Sequence, residues 1–298
     1  MDECLRERFL VIDGFLPEQQ GLDMRADVDG HFSNASNHQA STHQVWNYWH
    51  VPGSYTYLRT TPEKVIERAK VQAFVEALGN WAALNLGLAG ITWPYLSLYV
   101  PGCVQGLHND STNGRLGYVY SLTRNARQTI GGETVLMHDR DLFRTSLDRP
   151  AAGTGLFDLV EPKFNRLTLF DDRIPHAVQR VDGSMDPMEG RFVLHGHISE
   201  AGVVTQGPIQ ANVIQASIDM ALQEVRSGVA PSVHGPFVLQ LEIARSGEVQ
   251  CLRPIFDRLA SADGERLDYL RDEITERVEA IGFPTCSSAT LANVPLIF

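Results

Sequence analysis

Residues 95–122 read YLSLYVPGCVQGLHNDSTNGRLGYVYSL, and this stretch decides the fold class that the sequence predicts. It contains two short apolar and aromatic runs, Tyr95–Val100 and Leu116–Leu122, with proline and glycine turn signals between them. Further runs of the same kind follow at Thr134–Met137, Arg166–Phe170 and Arg191–Ile198. Many short strands separated by glycine-rich turns predict an all-β sandwich or jelly-roll barrel.

The region before these strands adds a strand and a helix. Residues 8–16 indicate a short strand that enters a turn. A helix is predicted from Thr61 as N-cap and Pro62 at the first helical position, with Gly79 as its end. Its expected apolar face consists of Val65, Ile66, Ala69, Ala73 and Ala77.

The last third of the chain predicts a second domain. Residues 208–227 have a helical pattern, residues 237–251 predict a β-hairpin turning at Ser246 and Gly247, and a helix with its end at Gly282 precedes a closing strand. We therefore expect two domains, one at 1–203 and a small α+β domain at 204–298.

Composition excludes several classes of protein. The 298 residues carry 25 basic and 36 acidic side chains, a net charge of −11, which disfavours nucleic acid as a partner. A hydrophobic share of 43% with 20% charged residues is typical of a globular chain rather than a disordered one. The four cysteines form no Cys-x-x-Cys pair, and the N-terminus lacks the pattern of a signal peptide, so a cytoplasmic location is expected.

One segment raises the question of a membrane span. Residues 78–107 contain no Asp, Glu, Lys or Arg and are long enough to cross a bilayer. Three glycines and two prolines at positions 79, 87, 90, 94 and 101 interrupt the segment. Buried strands and turns explain these glycine and proline interruptions better than a transmembrane helix, so we predict no membrane association.

The residues that carry chemistry begin with His108-Asn109-Asp110. Side chains at i and i+2 of an extended segment lie on the same face, so His108 and Asp110 can bind one divalent metal ion. His176, at the end of a strand-like run, supplies a third ligand. Two histidines and one carboxylate form the facial triad of non-haem Fe(II) oxygenases. Arg191, at the start of the next strand, offers a planar fork for a carboxylate.

Four segments in order resemble the Fe(II)/2-oxoglutarate-dependent oxygenases of the prolyl 4-hydroxylase-like family. They are YVPGCVQGLHND (99–110), GGETVLM (131–137), RLTLFDDRIPHAV (166–178) and RFVLHGHI (191–198). The resemblance covers about a third of the chain. The fold class expected is mainly β: a double-stranded β-helix (jelly-roll) core with flanking helices, plus the small α+β C-terminal domain.

The resemblance also implies roles for single residues. His108, Asp110 and His176 would bind Fe(II), Arg191 would pair with the distal carboxylate of the co-substrate 2-oxoglutarate, and Tyr99 would help to hold that co-substrate; plain strand packing is the other interpretation of Tyr99. The presence of Asp110 favours hydroxylation over halogenation, which in this family needs a small residue there. O2 is the second co-substrate.

Two departures from the family pattern bear on the substrate. The family often has an aromatic residue where this chain has Gln105 and a Trp where it has His197. Candidate substrate contacts are therefore His197, Arg115 and Trp46, although Arg115 also fits a surface turn and Trp46 a loop anchor. Residues 30–60, polar and then aromatic, are the candidate for a lid over the site.

The last hundred residues resemble the C-terminal domain of TonB-type proteins. FVLQLEIARSGEV (237–249) is similar to that domain's hairpin and FPTCSSATLANVPLIF (283–298) to its closing strand. No membrane anchor or proline-rich spacer accompanies them, so transport is not implied. An exposed sheet edge in such a domain would allow a homodimer.

The predicted function is a 2-oxoglutarate- and Fe(II)-dependent dioxygenase that hydroxylates an unactivated C–H bond of a small molecule, an amino acid or a natural-product intermediate. One alternative is a hydroxylase of peptidyl proline or another protein residue. Another is a non-catalytic metal-binding barrel fused to an interaction domain. The sequence leaves open the substrate, the carbon oxidised, and the choice among hydroxylation, desaturation and cyclisation.

Overall fold

A computed structural model describes residues 4–34, 45–110, 114–137, 157–262 and 265–298. The chain divides into two compact units. The barrel unit comprises Arg8–Ala77 and Ile91–Ile198, as far as these are described. The C-terminal unit comprises the described parts of Met1–Glu7, Leu78–Gly90 and Ser199–Phe298. A domain boundary at residue 203 stays a prediction.

Most elements between Phe9 and Ser199 are short strands. The helices there are α1 (Glu18–Ser33) and α2 (Arg68–Leu86). The strands are β1 (Phe9–Asp13), β2 (Asn47–Val51), β3 (Tyr55–Thr60), β4 (Gly90–Ile91), β5 (Tyr95–Tyr99), β6 (Val104–His108), β7 (Leu116–Ser121), β8 (Thr129–Ile130), β9 (Thr134–Met137), β10 (Phe157–Val160), β11 (Arg166–Asp171), β12 (His176–Val178), β13 (Asp182–Gly183) and β14 (Arg191–Ser199).

The barrel unit is built on one long antiparallel sheet in the order β1-β11-β7-β14-β5-β3-β6-β12-β9-β10. Strand β3 joins its two halves, because Leu58–Thr60 pairs with β5 whereas Tyr55 and Thr56 pair with β6. The sheet is nearly closed and resembles a barrel. This architecture confirms the predicted mainly β, jelly-roll fold class.

Strands β5 and β14 in the middle of this sheet are apolar on one face and carry functional groups on the other. Leu96, Leu98, Phe192 and Leu194 are almost fully buried on the apolar face. Their neighbours at alternate positions, Tyr99 and Arg191 among them, line an internal cavity. The period of two along a strand therefore separates the packing side chains from those available for chemistry.

The helix predicted after Thr61 differs from the observed one. Only a short 3-10 turn, Pro62–Lys64, forms at the expected start, and α2 continues through Gly79 to Leu86. The prediction that Gly79 ends the helix is wrong, because an interior glycine costs only about 1 kcal/mol. Chain reversal falls instead at Gly87, whose φ is +64°.

The predicted apolar face of this helix is also wrong. Ala69 and Ala73 are exposed. The buried positions are Val71, Phe74, Leu78, Ala82 and Leu86. Larger side chains remove more apolar area from water, so they decide which face of the helix turns inward. None of the described helices is both long and apolar enough to cross a membrane.

The C-terminal unit is a small α+β structure, as predicted. Its elements are β15 (Val204–Gln206), α3 (Ala211–Gly228), β16 (Val233–His234), β17 (Pro236–Ile243), β18 (Val249–Asp257), β19 (Ala260–Ser261), α4 (Asp268–Glu279) and β20 (Thr290–Ile297). The main sheet has the order β15-β20-β17-β18. Ile218 of α3, Ile274 of α4 and Leu239 of β17 are fully buried in one apolar core. The resemblance to the TonB domain and the homodimer stay predictions.

Candidate metal centre

Two neighbouring strands bring three predicted metal ligands together. His108 is the last residue of β6 and His176 the first of β12, and the antiparallel register places the two opposite each other. Asp110 follows His108 by two residues. One donor atom from each of the three side chains lies within 4.8 Å of the other two. Residues 68 positions apart in the sequence thus converge because of strand pairing.

The separations suit one divalent ion. His176 Nε2 lies 3.4 Å from Asp110 Oδ2, and His108 Nε2 lies 3.9 Å from Asp110 Oδ1. Imidazole nitrogens and carboxylate oxygens bind first-row ions at about 2.0–2.2 Å, so two donors at right angles on one ion lie about 3 Å apart, and small side-chain movements would bring these donors to that distance. Two imidazoles and one carboxylate also form the ligand set of a facial triad.

Backbone carbonyls fix both imidazole rings. His108 Nδ1 lies 2.8 Å from the carbonyl oxygen of Gly106, and His176 Nδ1 lies 2.9 Å from that of Ile174. A ring nitrogen that donates its proton to a carbonyl leaves the other nitrogen with its lone pair free. The Nε2 atoms, which face Asp110, are therefore the atoms that can bind metal.

The charge states match those that a metal requires. Burial and the neighbouring His176 lower the pKa of His108, which keeps its ring neutral. Burial alone would raise the pKa of Asp110, but the two histidine rings beside the carboxylate outweigh it and lower that pKa. Metal ligands must be deprotonated, so a neutral imidazole and an ionised carboxylate are the binding forms.

Gln105 contacts the metal-ligand set directly. Its Nε2 lies 3.1 Å from His108 Nε2, and its Oε1 accepts a hydrogen bond of 3.1 Å from the Tyr99 hydroxyl. The amide thus links Tyr99 to His108 and uses the lone pair that a metal would take. This is the position at which the family pattern often has an aromatic residue.

Arg191 is a buried cation on the wall of the same cavity. It opens β14 opposite Tyr99, and its guanidinium carbon lies 4.8 Å from the Tyr99 ring centroid. Nη2 donates to Thr134 Oγ1 over 3.2 Å, whereas Nε has no hydrogen-bond partner among the described residues. An orphaned donor on a buried cation indicates a place for an anion.

A turn of two glycines makes room for Arg191. Gly131 and Gly132 have φ values of +77° and +79°, which side chains other than glycine rarely adopt. A Cβ on Gly132 would lie 3.1 Å from the Cδ of Arg191. The glycine pair that the sequence places before β9 therefore clears space beside the guanidinium.

The three metal-ligand candidates, Arg191 and Tyr99 all line one cavity of about 590 Å³. This volume is in the usual range for small-molecule sites. His197 also lines the cavity, and its Nδ1 lies 3.2 Å from Asp172 Oδ2. Burial opposes the charged form of His197, but the bond to Asp172 outweighs it and raises the pKa of the ring.

Two predicted substrate contacts lie elsewhere. Trp46 packs against Phe32 and Phe192 and donates to His31, and it is not among the residues that line the cavity. Arg115 is also absent from the described lining; its backbone pairs with Ile198. A substrate role for either stays a prediction.

The lid candidate, residues 30–60, is described in part. Positions 35–44, with His38 and His43, lie outside the described residues. The hairpin of β2 and β3 contributes Trp49, Tyr55, Tyr57 and Arg59 to the cavity wall. Sequence reasoning missed Arg59, although the alternation in YTYLRT places it on the same face as Tyr55 and Tyr57.

Comparisons with known proteins give fold-level likenesses only. No family model and no curated protein matches the chain. A prolyl hydroxylase from Trichoplax adhaerens, solved with a hypoxia inducible factor peptide fragment, is 16% identical over 64% of this chain and 82% of its own, with a TM-score of 0.46. A Pseudomonas putida prolyl-4-hydroxylase is 16% identical over 65% and 94%, with a TM-score of 0.46. The alpha ketoglutarate dependent epimerase SnoN from nogalamycin biosynthesis is 13% identical over 66% and 79%, with a TM-score of 0.47. At these values the likeness assigns no function to this chain.

Proposed function

We propose that the protein is an Fe(II)- and 2-oxoglutarate-dependent dioxygenase that hydroxylates an unactivated C–H bond of a small molecule. One observation carries the proposal. His108, Asp110 and His176 converge with the Nε2 atoms of both rings beside the carboxylate, in the same cavity as a buried arginine that has an orphaned donor. A metal and a dicarboxylic acid fit these two features.

The residues of the metal centre would hold iron and keep it accessible. Three protein ligands would leave positions on the ion for the co-substrate and for oxygen. Bound iron, with 2-oxoglutarate and O2, supplies the oxidising chemistry that side chains lack. The carbonyls of Gly106 and Ile174 hold the His108 and His176 rings in orientation, so little reorganisation is needed when the ion binds.

Arg191 and its neighbours would hold 2-oxoglutarate. The guanidinium presents Nε and its terminal nitrogens as a planar fork, which matches a carboxylate through two parallel hydrogen bonds. Thr134 supports one edge of the fork, and the Tyr99 ring lies beneath it. The Tyr99 hydroxyl, which now donates to Gln105, can turn toward the bound acid.

The proposal is tested by 2-oxoglutarate turnover. Purified protein with Fe(II), ascorbate and O2 should convert 2-oxoglutarate to succinate, and removal of Fe(II) should stop the reaction. His108→Ala should lower this turnover by about 100-fold or more, since loss of an outer-shell partner of a metal ligand already costs 10- to 100-fold. His234→Ala, which changes a histidine on β16 in the C-terminal unit, is the matched control.

Two results would contradict the proposal. One is a wild-type protein that makes no succinate under any of these conditions, as a non-catalytic metal-binding barrel would. The other is full turnover by the His108→Ala protein, which would mean that iron is held elsewhere. A wild-type protein that hydroxylates a proline-containing peptide but no small molecule would support the peptide alternative instead.

A further inference from the structure

A second guanidinium, on Arg59, lines the cavity at a place that the proposed function does not use. Its central carbon lies 3.8 Å from the ring centroid of Trp49 and 4.2 Å from that of Tyr95. The two rings come from strands β2 and β5, on either side of β3. Three adjacent strands therefore cooperate to hold one cation at the cavity wall.

Among the described residues, the Arg59 side chain has no hydrogen bond and no ion pair, and its ring contacts are with Trp49 and Tyr95. Several other arginines of the barrel unit have a carboxylate partner: Arg25 lies 2.8 Å from Asp29, and Arg166 lies 2.5 Å from Asp13. A cation that is partly withdrawn from water without an anion keeps unsatisfied donors. Arg59 therefore has hydrogen-bonding capacity directed at whatever enters the cavity.

The surroundings of Arg59 add no negative charge from the strands beside it. It pairs across the sheet with Ser97, whose hydroxyl lies 2.8 Å from His195 Nε2. Burial, helped by the charge of Arg59, lowers the pKa of His195 to about 3, so this ring is neutral at physiological pH. Asp110 is the carboxylate of the metal-ligand set in this cavity, and a bound cation would neutralise it.

Arg59 and Arg191 are far enough apart to bind different groups. Arg191 pairs with Tyr99, and Arg59 pairs with Ser97, so the two arginines are separated by two strand spacings and two residues. Those spacings put their Cα atoms about 12 Å apart on a flat sheet. The two forks therefore form two anion sites, both in the cavity that the metal-ligand residues line.

We infer that Arg59, held between Trp49 and Tyr95, binds a carboxylate of the molecule that is oxidised, so that the substrate is a small carboxylic acid such as a free amino acid. This inference rests on the proposed function. The two ring contacts hold the guanidinium without using its N–H groups in hydrogen bonds to described side chains, so these groups are left for a ligand. A planar carboxylate matches that edge in two parallel hydrogen bonds, whereas a neutral amide does not.

The test compares acids with their primary amides. The probes are the common L-amino acids and a series of short aliphatic and aromatic monocarboxylic acids, each paired with its amide. Binding to the metal-free protein is measured by isothermal titration with saturating 2-oxoglutarate, which keeps the Arg191 site from taking the acid probe, and stimulation of succinate formation is measured with Fe(II) and saturating 2-oxoglutarate. The wild-type protein should bind at least one acid about tenfold or more tightly than its amide.

Three variants identify the group responsible. Arg59→Gln should bind that acid and its amide equally, and Arg59→Lys should keep part of the preference because it keeps the charge. Arg68→Gln is the matched control: Arg68 also lies over a ring, 5.2 Å from the centroid of Trp93, but its side chain is 75% exposed. This control should keep the full preference. Thermal unfolding of each variant checks that it is folded.

The inference is overturned if acids and amides bind the wild-type protein equally, if no acid binds, or if Arg59→Gln keeps the preference. Because binding is measured without metal, its failure is distinct from failure of the proposed function. A preference for acids that depends on Arg59, in a protein that makes no succinate, would support the carboxylate site and reject the dioxygenase. Succinate formation without any preference for acids would support the dioxygenase and reject the carboxylate site.

Discussion

The interiors of the two units differ in how completely their polar groups are satisfied. In the C-terminal unit, buried Asp257 pairs with Arg271 and buried Asn293 donates to Ala83, around a core of aliphatic and aromatic side chains. In the barrel unit, four buried side-chain atoms of described residues lack any hydrogen-bond partner: Trp93 Nε1, Arg127 Nη1, Glu133 Oε2 and Arg191 Nε. No such atom occurs in the described part of the C-terminal unit.

This difference separates the residues that stabilise the fold from the groups that are available to bind a ligand. A satisfied apolar core contributes to folding and leaves nothing to bind a ligand. Unsatisfied buried donors and acceptors cost free energy of folding, and they persist where a ligand completes them. Substitutions in the core of the C-terminal unit should therefore lower stability, whereas substitutions at the barrel cavity should mainly change ligand binding.

The largest effect should come from the apolar core of the C-terminal unit. Ile274 is fully buried on α4, so Ile274→Ala should lower the free energy of unfolding by about 2–5 kcal/mol. Chemical denaturation measures this loss. The partly buried Ile281 offers a control, and Ile281→Ala should cost less. An Ile274→Ala protein that remains as stable as the wild type would mean that this core is not a main source of stability.

The next effect should be a loss of co-substrate binding at Arg191. Arg191→Met should raise the KM for 2-oxoglutarate by about 100-fold, which corresponds to about 2.7 kcal/mol. The same variant should unfold at an equal or higher temperature, because it removes a buried cation with an orphaned donor. Succinate formation at varied 2-oxoglutarate concentration measures the KM, and thermal unfolding with and without 2-oxoglutarate measures the stability and the loss of binding. A variant that is destabilised and still binds 2-oxoglutarate would assign Arg191 a purely structural role.

A smaller effect concerns pH and His195. Its folded pKa of about 3 lies below the ordinary value of 6.5, so the unfolded chain takes up a proton first as the pH falls. Stability from His195 is therefore fully present well above pH 6.5 and is lost progressively toward pH 3, by about 1.4 kcal/mol at pH 5.5. His195→Gln should flatten this dependence in denaturation curves of the metal-free protein. An unchanged slope would show that other groups cause it.

The smallest effect should come from Gln105. Its amide occupies the lone pair of His108 Nε2, so a metal must displace a hydrogen bond worth about 1 kcal/mol. Gln105→Leu should therefore bind Mn(II) or Co(II) about fivefold more tightly, which equilibrium titration can resolve. If the affinity falls instead, the amide orients His108 for the metal rather than competing with it.

Much of the fold was predictable because strands and turns are local. Alternating residues flanked by glycine and proline predicted β5, β7, β9, β11 and β14 to within about a residue at each end. The bounds and the buried face of α2 were not predicted correctly. Alanines at helical spacing suggested one apolar face, but the larger side chains determine which face of the helix is buried. The inclusion of residues 4–7 in the C-terminal unit, where Leu5 bridges Phe256, rests on a contact across most of the chain that no local pattern encodes.

The site was predictable to the extent that its residues share a strand or a motif. His108 and Asp110 are neighbours on one face, and Arg191 begins a strand as expected; His176 was expected at the end of a strand and instead begins β12, because β11 ends at Asp171. Arg59 was not identified, although its alternation with Tyr57 was visible in the sequence. Alternation tells which residues share a face of a strand, but only the pairing of β3 with both β5 and β6 shows that this face is the cavity wall.

The double pairing of β3 fixes the distance along the cavity wall between Arg59 and the metal ligands. At one end of this six-residue strand Arg59 lies beside β5, and at the other end Tyr55 pairs with Gln105 of β6, three residues before His108. Backbone hydrogen bonds, rather than flexible side chains, therefore set the span between the carboxylate anchor and the metal ligands. In a homologous series of acids held at Arg59, the oxidised carbon would therefore stay at the same position counted from the carboxyl group as methylenes are added at the far end.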